Sequence, residues 1–534
     1  MKAKVIDYSQ EKIIAGVKKA ADAIKVTLGP SGKGVAIADY TGNPEITRDG
    51  ATVAKSIVLA DAVENMGAQL VRKAATRTED LAGDSTSTTS ILIKEFCIRG
   101  QKAVQTGSNV NEIKSGMLKA GKWMDKYIQS KATPINGDLQ LIGKVATISA
   151  NNDPEIGDLV VQGMQKVGID GLLTVDAASG LDTVIDITTG MKLNKGWAAP
   201  QYVTNPAEGT CVMENPYIMV VGEKLSNVNQ IGKIAQEIMN TGRPVLIICD
   251  SIDDVVNTTL ILNTLRGALR CCVVSGIEFG DNRKNVMNDI AVATGATYIT
   301  PEVGLDIMNV TLADLGSANK VVVSRDETII YEGSGDPQEI QNLADNIRAR
   351  LNDPGISDYD KSKFEKRLAG LVGGIAIIKV GGATETEKIN RKKTADDAVL
   401  AAKSALAEGF VPGGGYVYFT AKKEAEKDKT FWNSLSGDEV EGAKIVFSSL
   451  PVIMWTIADN SGASADVILS TQAAQKKENV GYNAKTKKFE NLIDSGILDS
   501  AKCIRVALEN AISTAAMILL IDCTIIDEEK KEEE

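Results

Sequence analysis

One stretch of the chain combines a tight turn, a carboxylate and a run of hydroxyl side chains at the point where a helix must begin. It is Leu81-Ala82-Gly83-Asp84, followed by six consecutive hydroxyl residues from Ser85 to Ser90 and the apolar run Ile91-Leu92-Ile93. Helix N-termini offer free backbone N–H groups that bind anions, and a carboxylate suits Mg²⁺. The stretch therefore predicts a site for a phosphate group carrying Mg²⁺; an ordinary Ser/Thr-rich helix cap is the alternative.

Composition narrows the classes of protein that the chain can belong to. Its 534 residues, 43% hydrophobic and 24% charged, predict an ordinary globular protein of roughly three domains. The net charge of −11, with no long basic run, argues against a nucleic-acid-binding surface. Because the chain has no histidine, Ser-His-Asp and Cys-His catalysis are removed and a zinc enzyme is disfavoured. Acid or base chemistry must rest on carboxylates, lysine, tyrosine or water.

The ends and the cysteines of the chain predict a cytoplasmic protein. We see no apolar run of membrane-spanning length, and the first residues, Met-Lys-Ala-Lys, lead into mixed sequence rather than an apolar signal core. The seven cysteines include no C-x-x-C pair, and an odd number in a long chain predicts free thiols in a reducing compartment. We therefore expect no membrane partner.

Two further helix boundaries near the start of the chain resemble ligand-binding turns. An amphipathic helix predicted over 11–25 runs into the glycine-rich stretch Val26-Thr27-Leu28-Gly29-Pro30-Ser31-Gly32. Asp49-Gly50 forms a turn ahead of another helix. A tight turn and an acidic cap are the ordinary readings of these features. Three such helix starts within ninety residues are more than caps alone would lead us to expect.

Taken in order along the chain, these and later motifs closely resemble those of the group I chaperonins, the 60-kDa bacterial type, and identify the chain as a divergent member. The likeness spans about Val5 to Asp527. The motifs that carry it are Val26-Thr27-Leu28-Gly29-Pro30, Thr47-Arg48-Asp49-Gly50, Glu64-Asn65-Met66-Gly67, Ala82-Gly83-Asp84, Thr147-Ile148-Ser149-Ala150-Asn151, Phe279-Gly280-Asp281-Asn282-Arg283-Lys284, Gly413-Gly414-Gly415, Gly481-Tyr482-Asn483-Ala484 and Asp494-Ser495-Gly496-Ile497-Leu498-Asp499.

The resemblance implies a multidomain fold of the α+β and α/β classes. A mostly helical, ATP-binding equatorial domain would be formed by residues 1–131 and 408–534, with a disordered acidic tail from about 528. A small α/β hinge domain would come from 132–188 and 375–407, and an α/β apical, substrate-binding domain from 189–374. Strand patterns at Pro244-Val245-Leu246-Ile247-Ile248-Cys249 and Lys320-Val321-Val322-Val323 agree with this division.

The resemblance also implies a nucleotide site with ATP, Mg²⁺ and K⁺. Asp397 would position the attacking water with Asp49 as second carboxylate, Asp84 would bind Mg²⁺, and Thr27, Arg48 and Ser87 would lie near K⁺. The ATP phosphates would be surrounded by Thr27, Leu28, Gly29, Pro30, Arg48, Asp84, Ser85, Thr86, Ser87 and Thr88. The base and ribose would contact Gly414, Asn483, Ala484, Ile497 and Asp499. The family has glycine at the position of Ser85, so serine would be strained there if the backbone needs φ > 0.

The resemblance further implies a groove that binds non-native proteins. Its positions in this chain are Trp197, Gln201, Tyr202, Ile231, Gly232, Ala235, Asn257, Ile261 and Leu262. Four of them, Gln201, Gly232, Ala235 and Asn257, stand where the family has larger apolar side chains. Because apolar area attracts unfolded chains without regard to sequence, we expect this groove to bind them more weakly.

The function that these features predict is ATP-driven protein folding. The protein would capture non-native clients on its apical domains and enclose or release them in the cavity of a homo-oligomer, either two stacked seven-membered rings or a single ring, with or without a small co-chaperonin lid. Two alternatives remain open at this point. One is a ring-forming holdase or scaffold with little or no ATP turnover, and the other is a small-molecule phosphotransferase.

Overall fold

The computed structural model describes residues 3–38, 44–168, 171–178, 180–206, 208–278, 280–351, 360, 363–364, 367–368, 370–371 and 373–527. The predicted acidic tail from 528 and Phe279 of the Phe279–Lys284 motif lie outside the described residues. The chain divides into two compact units. The first comprises Met1–Gln162, Val175–Val184 and Ile378–Glu534, and the second comprises Gly163–Thr174 and Ile185–Ile377.

The first unit is built mainly from helices, because apolar residues recur at helical spacing over most of its length. In the helix predicted over 11–25, Ile13, Ile14, Val17 and Ile24 are all buried. The helices are α1 (Gln10–Lys25), α2 (Gly50–Ser56), α3 (Ala62–Ala82), α4 (Thr86–Gln105), α5 (Val110–Lys131), α6 (Leu139–Ser149), α7 (Pro154–Val167, continuing into the second unit), α12 (Glu385–Glu408), α13 (Tyr416–Lys427), α14 (Lys429–Asn433), α15 (Glu439–Ser449), α16 (Val452–Asn460), α17 (Ala465–Ala474) and α18 (Ala501–Ile518).

Glycine lets two of these helices pack with their backbones in contact. A Cβ built on Gly16 of α1 would lie 1.8 Å from the Glu64 carbonyl oxygen of α3, closer than any real pair of such atoms. The α1 and α3 backbones can therefore meet only with glycine at this position. Their apolar faces join α4, α5 and α18 in one continuous core.

Short antiparallel strand pairs join distant parts of the first unit. The β1–β18 pair brings the two ends of the described chain together, and the β14–β17 pair sets the residue before the final helix beside the end of α12. The strands are β1 (Ala3–Ile6), β2 (Val35–Ala38), β3 (Pro44–Thr47), β14 (Phe410–Pro412), β15 (Val480–Asn483), β16 (Lys488–Asn491), β17 (Leu498–Ser500) and β18 (Thr524–Asp527), paired β1–β18, β2–β3, β14–β17 and β15–β16.

The second unit is an α/β unit around a sheet in the order β5-β12-β11-β7-β8-β9, with β10 on β7 and β6 on β11. Strands β7, β8, β9 and β10 are mutually parallel. The elements are β5 (Val184–Leu193), β6 (Cys211–Glu214), β7 (Tyr217–Leu225), α8 (Asn229–Thr241), β8 (Val245–Ile252), α9 (Asp254–Leu265), β9 (Cys271–Ser275), α10 (Gly280–Thr294), β10 (Tyr298–Ile299), β11 (Gly316–Val323), β12 (Thr328–Gly333) and α11 (Pro337–Leu351); β4 (Leu172–Ala177) and β13 (Gly374–Val380) are further strands.

Burial explains the continuous apolar runs of this unit. Val245 to Cys249 of β8 are all buried, as expected for a parallel strand covered on both faces. The expected apical range, 189–374, falls wholly within the second unit. The finer division of the first unit into equatorial and hinge domains stays a prediction.

One helical stretch is longer and more apolar than the sequence reading allowed. Among the described residues, Glu439–Asn460 has the length and composition of a membrane-crossing helix, with a mean hydropathy of 1.3. The expectation that no run reaches this length is therefore wrong. Because 56% of its most apolar 18 residues are buried inside the unit, the stretch is weak evidence for a membrane segment, as many core helices share its composition.

Candidate functional site

A cavity of about 930 Å³ in the first unit is lined by every residue predicted for catalysis and for nucleotide, Mg²⁺ and K⁺ binding. They come from the turn after α1, the start of α2, the start of α4, the middle of α12, the start of α13 and the β15–β17 region. The full set is Thr27, Leu28, Gly29, Pro30, Arg48, Asp49, Asp84, Ser85, Thr86, Ser87, Thr88, Asp397, Gly414, Asn483, Ala484, Ile497 and Asp499.

The hydroxyl run begins at a left-handed turn between α3 and α4. Gly83 has φ 81° and Ser85 has φ 73°, and Ser85 makes no side-chain capping hydrogen bond. The backbone here needs the conformation that favours glycine, so the predicted strain at Ser85 is present. From Thr86 onward the chain is helical, with Thr86, Ser87 and Thr88 in the cavity wall.

The last two hydroxyls of the run serve the helix core instead. The Thr89 hydroxyl lies 3.0 Å from that of Thr78, and the Ser90 hydroxyl donates to the Thr86 carbonyl at 3.0 Å. Both side chains are fully buried. The first four residues of the run therefore face the cavity, and the last two pack α4 against its neighbours.

The glycine-rich turn after α1 is held on several sides. The Thr27 and Ser87 hydroxyl oxygens lie 3.1 Å apart, which ties this turn to the start of α4. The Asn460 side-chain amide donates to the Leu28 carbonyl at 2.9 Å, and Arg48 Nε donates to the Gly32 carbonyl at 3.0 Å. The turn is thus held by contacts within the protein, as a preorganised binding site requires.

Asp49 has two roles in this geometry. Its carboxylate caps α2 by accepting hydrogen bonds from the Ala51 and Thr52 N–H groups, each at 2.9 Å, and from the Thr52 hydroxyl. The same side chain lines the cavity. The ordinary capping role is therefore present, and it fixes the direction in which the carboxylate faces the cavity.

Asp84 is held by Ser149, a residue for which the sequence motifs predict no role. Ser149, at the end of α6, donates its hydroxyl to Asp84 Oδ2 at 2.5 Å, and the Ser85 N–H donates to Oδ1. Burial raises the pKa of the Asp84 carboxyl, and the negative charge of Asp49 adds to this, while the two hydrogen bonds oppose it. Ser149 orients a carboxylate that is costly to ionise without a cation.

Asp397 projects from the middle of α12, which is docked on the elements around the cavity. The Asn390 side chain donates to the Ile46 carbonyl at 2.8 Å, Lys393 donates to the Thr52 hydroxyl at 3.0 Å, and the Ser404 hydroxyl donates to the Ala82 carbonyl at 2.8 Å. These contacts precede and follow Asp397 on the helix, so they place its carboxylate in the cavity wall.

The Asp397 carboxylate has no hydrogen-bond partner among the described residues. Burial, together with the negative charges of Asp49 and Asp84, raises its pKa well above the usual range for an aspartate. Positive charge or a proton-donating water beside the carboxyl would favour its charged form.

At the far end of the cavity, two glycines bring the backbone against a carboxylate. A Cβ on Gly413 would lie 2.8 Å from Asp499 Oδ1, and Gly414 has φ 66°. Burial raises the pKa of Asp499 to about 7, with a contribution from Asp84, although the Gly414 N–H donates to its carboxylate and opposes the shift. Asp499 can therefore change its charge near neutral pH.

Asn483 stabilises the β15–β16 hairpin, which forms part of the cavity wall. Its side-chain oxygen accepts from the Lys485 N–H at 2.9 Å and the Thr486 N–H at 3.3 Å, and its amide donates to Glu490. These bonds use most of the hydrogen-bonding capacity of the side chain. Asn483 lines the cavity and also holds the β15–β16 turn in shape.

The cavity includes a segment that sequence reasoning left without a role. Residues from α6 to α7 line it, including Gln140, Lys144, Thr147, Ser149, Asn151 and Asp158. The signal was present, because Thr147 to Asn151 form one of the recognisable motifs. A motif gives no direction for its side chains, so the Ser149 to Asp84 bond was not predictable from it.

The predicted client-binding residues are divided between core and surface. Tyr202 is 1% exposed and Ile231 is 3% exposed, so neither offers area to a client; expecting them in the groove is wrong for these two. The Tyr202 hydroxyl instead donates to Asn257 Oδ1 at 2.7 Å, and the Trp197 indole N–H donates to the Gly209 carbonyl at 3.3 Å. Gln201, Gly232 and Leu262 are exposed, and Trp197, Ala235, Asn257 and Ile261 are half-buried.

Helix α9 exposes more apolar area than the sequence indicated. Val255 is 73% exposed and Leu265 is 67% exposed, beside Leu262 at 46%. Helical spacing over 252–265 predicts one stripe, mostly facing the core, formed by Ile252, Val255, Val256, Thr259 and Leu260. Val256 and Leu260 are buried as this predicts, but the prediction is wrong for Val255. Val255 and Leu262 are seven residues apart and share one face of α9, so an apolar strip is available there.

Comparison with known proteins agrees with the fold and the motifs. The TCP-1/cpn60 chaperonin family pattern matches residues 20–529 of the chain. Among solved structures, the chaperonin gp146 from the bacteriophage EL 2 (Pseudomonas aeruginosa), crystallised in the presence of ATP-BeFx, matches with a TM-score of 0.71 at 20% sequence identity. The match covers 98% of this chain and 99% of that one. The fold is thus a chaperonin fold, mixed α/β with mostly helical content.

Proposed function

Because the chain belongs to the TCP-1/cpn60 chaperonin family, we propose that it is an ATP-dependent folding chaperone that captures non-native proteins and releases them in step with ATP hydrolysis. The observation that carries this proposal is the cavity of the first unit. Residues from six separate parts of the chain, each predicted for nucleotide binding or hydrolysis, line one space. Unrelated helix caps and turns would not be expected to converge in this way.

The start of α4 and the turn after α1 suit the phosphate groups of ATP. Backbone N–H groups at the first turn of a helix favour negative charge, and the Thr86, Ser87 and Thr88 hydroxyls are neutral donors beside them. Gly414, Ala484 and Ile497 provide a small, partly apolar wall at the other end, where a base and ribose would lie. The Asp499 carboxylate is the group there that can accept hydrogen bonds from ribose hydroxyls.

The carboxylates fit Mg²⁺ bound with the nucleotide. Burial, and after it the negative charge of neighbouring aspartates, raises the pKa values of Asp84 and Asp397, and a cation beside them would favour their charged forms. No group of three or more metal-binding side chains is spaced to hold an ion alone among the described residues. Asp84 would hold Mg²⁺ together with phosphate oxygens, and the ion would supply charge neutralisation during transfer.

A K⁺ site near Thr27 and Ser87 has the right chemistry, since hydroxyl oxygens 3.1 Å apart face the same region. Arg48 could contribute only its backbone carbonyl, because its guanidinium is a cation and donates to Gly32.

Asp397 is the residue we assign to hydrolysis. As a carboxylate it would accept a proton from the attacking water while the water oxygen bonds to the γ-phosphorus and the bond to the ADP oxygen breaks. The proton then passes to solvent and phosphate leaves. Asp49, fixed by its capping bonds, would hold the water from a second side.

Clients would bind on the second unit through exposed apolar side chains of α9, mainly Val255, Leu262 and Leu265. Burial of apolar area contributes about 25 cal/mol per Å² and tolerates any sequence, as a general chaperone needs. The partners proposed with this function are other copies of the chain in one ring or two stacked seven-membered rings, non-native proteins, and a co-chaperonin lid. The proposed location is the cytoplasm.

The test is protection and refolding of a denatured client by ring-sized protein, with and without ATP, Mg²⁺ and K⁺. We expect suppression of aggregation without nucleotide and recovery of client activity with ATP. A monomer that neither suppresses aggregation nor needs ATP would contradict the proposal. Release of ADP only when a small metabolite is added would instead indicate the phosphotransferase.

The holdase alternative has one observation in its favour. Ser85 occupies a left-handed position at the phosphate end of the cavity, where its Cβ and hydroxyl take space beside the start of α4. Suppression of aggregation with no refolding and no ATP turnover would favour a holdase. Nucleotide-dependent refolding would eliminate it.

A further inference from the structure

A second cleft of about 750 Å³ lies in the first unit, on other faces of helices that form the nucleotide cavity. Helices α4, α13 and α16 each contribute to both spaces. On α16, Ile453 and Ile457 line the nucleotide cavity, whereas Val452 and Trp455 line the second cleft. The two spaces share no lining residue. The second cleft is therefore separate from the site proposed for ATP.

The cleft is basic, although the chain carries a net charge of −11. Five cationic side chains line it, and two carboxylates oppose them. The cations are Lys25, Lys94, Arg99, Lys422 and Lys423, and the carboxylates are Glu95 and Glu426. One further carboxylate, Asp22, pairs with Lys94 at 2.8 Å and Lys25 at 3.5 Å. An excess of positive charge remains on the walls after these pairs are counted.

Lys422 is the lining cation that is most available to bind an anion. Lys423 donates to the Ala473 carbonyl at 2.6 Å, and the Arg99 guanidinium lies 3.8 Å from the Glu95 carboxylate. Lys422 is half-buried and has no hydrogen-bond or ion-pair partner among the described residues. A half-buried ammonium without a partner favours a bound anion, because neither water nor protein fully satisfies it.

The cleft also has apolar lining residues. Ile91, Phe419, Val452 and Leu469 line it, and Trp455 adds an indole ring that is held in place by an N–H donation to Asp466 at 3.0 Å. A fixed indole offers a flat face on which an aromatic ring can stack. Apolar walls with a few convergent polar groups are the usual composition of small-molecule sites.

We propose that this cleft binds a small ligand that joins an aromatic ring to a phosphate group, with the ring on Trp455 and the phosphate on Lys422 and Arg99. The proposed site shares no lining residue with the first cavity. The ring would contact the apolar lining residues and the phosphate would contact the cations. Neither the aromatic part nor the phosphate alone should therefore bind as tightly as the whole ligand.

The test uses 1-naphthyl phosphate, with naphthol and inorganic phosphate as the separate halves, titrated by calorimetry into the full-length protein. We expect one site per chain, weaker binding of either half, and a loss of affinity of about tenfold or more in Lys422→Ala. Lys427→Ala is the matched control. It removes a lysine from the same helix, but Lys427 is 70% exposed, pairs with Glu424 at 2.7 Å and does not line the cleft.

Three results would overturn the proposal. The first is no binding of the probe, and the second is equal affinity for the Lys422→Ala and Lys427→Ala proteins. The third is full displacement of the probe by ADP with no effect of Lys422→Ala, which would assign the probe to the nucleotide cavity. Arg99→Ala provides a second variant, since Arg99 is exposed and its replacement should leave folding intact. It should weaken binding in the same direction.

Discussion

The nucleotide cavity and the client-binding surface were predicted from the same resemblance, but their predicted residues differ in where they lie in the structure. All the predicted cavity residues line one space, whereas two of the nine client-binding positions, Tyr202 and Ile231, lie in the core. Most cavity residues stand at turns and helix starts, where glycine, aspartate and hydroxyl side chains fix the backbone. The client-binding positions lie on α8, on α9 and in the segment 197–202, where the packing of distant segments decides which side chains are exposed. Local backbone chemistry is thus more predictable than exposure.

The largest effect we expect comes from making the same substitution in both regions. In Gly32→Ala, the new Cβ would lie 2.0 Å from the Thr27 carbonyl oxygen, so the turn after α1 must move. We expect unfolding to become easier by about 3 kcal/mol and nucleotide affinity to fall at least tenfold, measured by denaturant titration and ADP binding.

Gly232→Ala is the counterpart on α8. No atom lies within 4 Å of the new Cβ, and alanine is a better helix former by about 1 kcal/mol. We expect a small gain in stability and unchanged ADP binding. Equal losses of stability and ADP affinity in Gly32→Ala and Gly232→Ala would contradict the difference between a constrained turn and an open helix face.

The second effect concerns charge in the cavity. The pKa of Asp499 is raised from 3.8 to about 7. Between these pH values the folded state binds more protons than the unfolded state, so the nucleotide-free protein should lose stability as the pH rises from about 4 to 7. Asp499→Asn should remove the part of this pH dependence that Asp499 causes. Above pH 7 it should raise the free energy of unfolding by an amount on the order of a few kcal/mol.

Denaturant titrations at pH 5 and pH 8 measure the effect of Asp499→Asn. The control is Asp494→Asn, which removes a carboxylate from the exposed rim of the same cavity. A slope of stability against pH that is the same in wild type and Asp499→Asn would contradict the buried position of Asp499.

The third effect separates buried from exposed positions in the second unit. Tyr202→Phe removes the 2.7 Å hydrogen bond to Asn257 inside the core and should cost about 1–2 kcal/mol of stability, with client affinity unchanged. Leu262→Ala removes a side chain that is 46% exposed, so it should weaken binding of an unfolded client more than it lowers stability. A loss of client affinity without a loss of stability in Tyr202→Phe would instead indicate that Tyr202 belongs to the client-binding surface.

The smallest effect is expected at Ser85. With φ 73°, serine occupies a conformation that costs about 1–2 kcal/mol and that glycine adopts freely. Ser85→Gly should raise the unfolding free energy by about 0.5–1 kcal/mol, after the greater freedom of glycine in the unfolded chain is subtracted. Faster ATP turnover in Ser85→Gly would sharpen the contrast, and a loss of stability would contradict the left-handed turn.

These differences show what the sequence could and could not supply. The helix start at Thr86, the cap at Asp49 and the strand over Val245 to Cys249 follow from local patterns, and the structure confirms each of them. The bond from Ser149 to Asp84 and the exposure of Val255 depend on how distant segments pack. Periodicity also failed for Val255 because α9 is apolar on more than one face, so no single stripe marks its core side.

The raised pKa of Asp397 was likewise beyond sequence reasoning. Asp396-Asp397 resembles a solvated helix face, and only the convergence of α12 with Asp49 and Asp84 buries the second carboxyl among like charges. The same motif would have an ordinary pKa on an exposed helix.

The most direct test of the account is ATP hydrolysis by ring-sized protein with Mg²⁺ and K⁺, comparing wild type, Asp397→Ala and the neighbouring control Asp396→Ala. We expect Asp397→Ala to lower turnover by about a hundredfold or more while ADP affinity is retained, and Asp396→Ala to change turnover far less. Wild-type turnover in Asp397→Ala, or equal losses in both variants, would contradict the placement of Asp397 at the site of hydrolysis.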